Sequence, residues 1–70
     1  MTWTWRYEDT NGQIVEPEEA PRPQVFPSQG DAESWLGETW PELLHAGVAA
    51  VTLLEGDRVV YGPMGLAPAE

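Results

Sequence analysis

His45 is the only histidine in this chain, and whether it does chemistry depends on what stands around it. A lone imidazole makes neither a metal site nor an oriented base unless carboxylates converge on it. Its place near the end of a candidate helix offers a plainer role, because the negative end of the helix dipole favours a protonated ring. Glu38 and Glu42 stand four residues apart, with Asp31 and Glu33 earlier on the same element, so carboxylates line a helical stripe. Acid and base chemistry needs a cleft that drives two such pKa values apart, and a solvated stripe supplies none. No Asp-x-Asp-x-Asp-Gly calcium loop occurs. The glycines at 12, 30, 37, 47, 56, 62 and 65 form neither GxGxxG nor GxxxxGK, and there is no lysine to reach a phosphate. Ser28 and Ser34 have no Gly-x-Ser-x-Gly context and no evident relay, and the chain has no cysteine. These patterns read as a protein that is not an enzyme, with no catalytic residue, metal or cofactor expected.

Aromatic residues carry the stronger signal. Four tryptophans in 70 residues exceed ordinary usage several-fold. Each ring buries about 150–250 Å², so Trp35, Trp40 and one of Trp3 or Trp5 can fill a thin layer between a helix and a sheet. A leftover indole is then exposed. Together with Tyr7, Tyr61 and Met64 it supplies the residue mix of an interface hot spot. The candidate partner-binding residues are therefore Trp3, Trp5, Tyr61 and Met64.

The elements that must position these residues follow from periodicity. Trp3, Trp5 and Tyr7 alternate with Thr2, Thr4 and Arg6, a period of two that suits a half-buried strand. Asn11-Gly12 supplies turn chemistry, which makes Gln13 to Val15 a short returning strand. Residues 16–24 form a proline-rich connector, extended because each proline removes a backbone donor and biases its predecessor away from helix. Ser28 or Asp31 can cap a helix with apolar positions at Ala32, Trp35, Leu36, Trp40, Leu43 and Leu44, stopped by Gly47. Pro41 is discordant, since it removes one hydrogen bond and crowds the carbonyl of Gly37. Either one helix over about 31–46 kinks there, the favoured reading, or Thr39 caps a second short helix with Glu42 completing the box.

Val48 to Leu54 reads as a central strand, Gly56-Asp57 as a type II′ turn, and Arg58 to Tyr61 as the return, ended by Gly62-Pro63. The fold class is α+β, in the order β-β-α-β-β, a small antiparallel sheet with one helix packed on one face. The first and third strands are the expected neighbours. Residues 1–70 make one small domain, with 67–70 a frayed tail.

Twelve Asp and Glu against three Arg give a formal charge of −9. That sign repels nucleic-acid phosphates and anionic lipid headgroups, so neither direct nucleic-acid binding nor membrane binding is expected. It favours another protein as partner, a basic one above all. The longest nearly apolar stretch, Gly47 to Leu54, is far short of a span, and no secretory signal follows Met1. The chain reads as cytoplasmic and complete. A four-stranded sheet with one helix leaves an uncovered face and two edges, which is compatible with a homodimer.

The stretches TWTWRYED, PSQGDAESWLGETW and GVAAVTLLEGDRVVYGPMGL resemble a family of short actinobacterial proteins of unknown function. The absence of lysine and the abundance of Ala, Gly, Pro, Val and Leu agree with a GC-rich genome. The resemblance implies no activity, cofactor or site residue. The expected function is that of a small acidic module that binds or regulates another protein. The alternative is an acidic mimic of nucleic acid, or an antitoxin-like neutraliser of a basic partner.

Overall fold

The structure, a computed structural model, describes residues 2–22 and 24–66. Its elements run β1 (Trp3–Glu8), α1 (Gln29–His45), β2 (Ala50–Glu55) and β3 (Arg58–Gly65). They form an antiparallel three-stranded sheet in the order β1-β2-β3 with one helix. The α+β class and the pairing of the first strand with the one after the helix are as the sequence predicts.

Two strands before the helix are not. The expected returning strand at Gln13–Val15 is reduced to one bridge, Glu8 to Ile14. The turn itself forms: Asp9 N–H donates to the Gln13 carbonyl at 2.9 Å, and the Asp9 Oδ1 accepts from the Asn11 and Gln13 amides at 2.8 and 2.9 Å. Only Gly12 takes a positive φ, +81°, so this is a three-residue loop closed by a left-handed glycine, not a two-residue Asn-Gly turn. Past it, Val15 donates one bond to the Tyr7 carbonyl. Pro17 then removes the next donor, and the strand cannot extend.

The helix is single and runs through Pro41. Ser28 caps it, its hydroxyl accepting from Asp31 N at 3.2 Å. At the other end Val48 N–H reaches the Leu43 carbonyl at 3.0 Å and Gly47 N–H the Leu44 carbonyl at 3.2 Å, with Gly47 at φ +100°. This is a Schellman stop, and its accompanying apolar contact is supplied by Leu43 and Val48, both fully buried.

Strand register sorts the side chains into two faces. Tyr7 stands opposite Val51 and Trp5 opposite Leu53, and all four join Ala32, Leu36 and Leu43 of the helix in the core. The Trp5 indole donates to the Ala32 carbonyl at 2.8 Å, tying β1 to the first turn of α1. Thr4, Arg6 and Glu8 point the other way, opposite Leu54, Thr52 and Ala50.

Gly56 has φ +57° and Asp57 a negative φ, the arrangement of the expected type II′ turn. β3 does not end at Tyr61 as the sequence predicts. It continues to Gly65 because two irregularities absorb Val60 and the Gly62-Pro63 pair while Met64 and Gly65 resume pairing with Val51 and Ala50. The expected tail at 67–70 lies outside the described residues.

Candidate functional site

The two edges of the sheet differ. β1 is closed by the chain that follows it: Val15 bonds the Tyr7 carbonyl, and Phe26 and Trp3 exchange both backbone bonds at 2.7 and 2.9 Å. Between these two anchors the connector bulges away from the strand edge. It is held by the Tyr7 hydroxyl, which donates to the Pro21 carbonyl, and by the Thr4 hydroxyl, which donates to the Gln24 carbonyl at 3.0 Å. Ala20, within the connector, is buried.

β3, in contrast, pairs among the described residues only with β2. Along its outer edge Val59, Val60 and Tyr61 are 51%, 37% and 55% exposed, three consecutive apolar residues in water. Such a run is what partner surfaces use and what natural edge strands ordinarily suppress. No carboxylate lies between Arg58 and Leu66, and Arg58 itself bonds Glu55 at 2.7 Å. All twelve acidic residues therefore fall outside the strip.

Of the residues singled out from the sequence, Tyr61 belongs to this edge, and Met64 lies farther along the same strand, half-buried against the core. Trp3 is half-buried on the opposite, closed edge. Trp5 is a correction: at 2% exposure with its N–H bonded, it is spent on the core and presents nothing to a partner. Tyr7 is corrected likewise, at 2% exposure. The indole left outside is Trp40, 38% exposed, where helical spacing places it in the layer. Val59 and Val60 are the residues that sequence reasoning missed. Two adjacent β-branched residues in a strand cannot both face one core, and that pair was the available signal.

A polar cluster sits on the sheet face away from the helix. Glu8, 5% exposed, accepts through Oε2 from the Arg6 guanidinium at 3.0 Å and from the Thr52 hydroxyl at 3.0 Å, and Thr52 is fully buried. Charge and hydrogen bonds are matched there, and among the described residues no buried side-chain polar atom lacks a partner. The cluster is satisfied structure rather than a reactive group.

A cavity of about 470 Å³ lies between Tyr7 and the connector, lined also by Glu16, Glu18 and Arg22, all exposed. Burial pushes the Tyr7 phenol up to about 12, so it is a neutral hydrogen-bond donor there and not a base. His45 is exposed and lines a shallow depression with Glu19 and Glu42. Among the described residues no group of three or more His, Asp or Glu is placed to hold a metal ion. No described helix is long and apolar enough to cross a membrane.

In comparisons with known proteins, no family model, no curated protein and no solved structure matches this chain.

Proposed function

We propose that this chain is a small acidic module that binds another protein without catalysing a reaction, and that its contact surface is the outer edge of β3. The observation that carries this reading is the run Val59-Val60-Tyr61, exposed on the outer strand of the sheet in a stretch that contains no carboxylate. Tyrosine beside β-branched residues gives large contact area at small conformational cost. The mimic of nucleic acid is the weaker reading, because it needs carboxylates arrayed as the contact surface and leaves the apolar strip without a role.

The test is recovery of partners by the tagged protein from an actinobacterial lysate, the host that the sequence resemblance suggests, at low and high salt. One stoichiometric partner is expected, lost on Tyr61→Ala and retained on Trp40→Ala, an exposed aromatic outside the strip. Equal loss with both variants, or retention with both, overturns the assignment of the surface. A partner recovered only at low salt and indifferent to Tyr61 favours the mimic.

A further inference from the structure

Resting on the reading of the chain as a protein-binding module, we propose that β3 receives its partner by strand addition. The partner segment is extended and carries lysine or arginine, and it pairs backbone to backbone along Arg58–Tyr61.

The argument begins with the backbone. A strand bonded on one side only presents free N–H and C=O groups on the other, and an added strand satisfies them while its alternate side chains fall on the two faces. β1 cannot serve, because Val15 and Phe26 already occupy its outer edge. β3 can, over a limited length. Pro63 has no N–H, and Gly62 and Pro63 stand together opposite Thr52, which interrupts regular pairing there. The usable stretch is therefore Arg58 to Tyr61, about 13 Å of strand at the usual rise.

That length argues against a second copy of this chain. Three side chains with their backbone fall well short of the ~800 Å² per partner of an ordinary stable interface. The irregularity at Val60 adds to this, since bulges blunt open-ended pairing between sheets. A second copy also brings another −9 toward the first. An extended segment of a different protein needs only the short stretch, and it gains specificity from charge.

Charge chooses the partner's chemistry. The chain carries −9 while the strip itself has no carboxylate, and Asp57 stands exposed at its head, where Glu55 is taken by Arg58. A cationic segment is steered in by the whole acidic surface and then lays apolar side chains on Val59, Val60 and Tyr61, so no ion pair has to be buried at the centre. An acidic segment meets the same field as a barrier.

The experiment uses the full chain and three labelled peptides read by fluorescence anisotropy. The first alternates valine and threonine with lysine, the second replaces each lysine by glutamate, and the third is the lysine peptide with alternate backbone nitrogens methylated. The lysine peptide is expected to bind, the glutamate peptide to bind about tenfold weaker or worse, and methylation to abolish binding when it falls on the edge-facing nitrogens. Val60→Lys, checked for folding by circular dichroism, should weaken the lysine peptide to a similar degree. Binding that ignores methylation means attraction by charge alone and overturns strand addition. Sedimentation showing a dimer that Val60→Lys dissociates, with no peptide bound, gives the edge to a second copy instead. If no peptide binds while partner recovery still depends on Tyr61, strand addition falls and the module reading stands. If recovery is also indifferent to Tyr61, both fall.

Discussion

Tyr7 shows how one side chain can serve two layers at once. Its ring fills the core beside Val51, while its hydroxyl holds the connector through Pro21. With the phenol pushed up to about 12 from an ordinary 10.0, the unfolded chain gives up this proton first as the solution becomes alkaline. The contribution to stability is therefore fully present below pH 10.0 and is lost as pH rises toward about 12. Denaturation followed across that window should show a decline that Tyr7→Phe flattens, and an ultraviolet titration of the folded protein should lose its high-pH phenol in the same variant. Glu8 makes a second case. Thr52→Val keeps the shape but leaves the buried carboxylate one hydrogen bond short, and should cost about 1–3 kcal/mol in urea unfolding. An unchanged midpoint would mean that Arg6 alone satisfies Glu8.

At the scale of elements, the helix was the most legible part of the sequence. Ser28, the apolar spacing and Gly47 marked its ends because capping and termination depend on residues close in sequence. Pro41 did not break it, since one missing donor among 17 helical residues is outweighed by the packing of Ala32, Leu36 and Leu43. The segment after the first turn was misread for the opposite reason. Ile14 and Val15 have strand-like chemistry, but Pro17 decides how far the ladder runs, and the pairing partner is not visible locally. The length of β3 was hidden because Gly62-Pro63 looks like an ending and is instead absorbed opposite Thr52. Gly62 is the position that permits this: at φ +115°, a Cβ there would stand 2.9 Å from the Val51 carbonyl oxygen and 3.0 Å from the Thr52 Cα. Gly62→Ala should therefore lower stability by about 2 kcal/mol or more, measured by chemical denaturation. Gly37→Ala, with open space at its Cβ in the helix interior, should raise it by about 0.5–1 kcal/mol.

For the whole molecule, composition spoke clearly about sign and poorly about place. The charge of −9 follows from counting residues, whereas the exposure of a carboxylate-free run on the sheet's outer strand depends on which strand ends up outermost. The candidate residues divide in the same way. Tyr61 lies exposed on the outer strand, whereas the sequence leaves open which of Trp3 and Trp5 enters the core, because nothing local reveals that the Trp5 indole meets Ala32 across 27 positions. Mutual repulsion among so many carboxylates should make stability depend on ionic strength: adding salt screens it within about 8–10 Å at ordinary concentrations. The thermal midpoint measured by calorimetry is expected to rise between low and physiological salt. A midpoint that falls instead would mean that the Arg6–Glu8 and Arg58–Glu55 pairs outweigh the repulsion.

The closing of β1 by Val15 and Phe26 has a bearing on valence. A sheet with two free edges is bifunctional, like a monomer that polymerises, and each addition regenerates a growing end. With one side already occupied by its own chain, this sheet is monofunctional, so growth stops after a single event. A segment added at that edge would join one to one, and a concentrated solution of the protein is expected to stay free of filaments without any need for the charge that also keeps its copies apart.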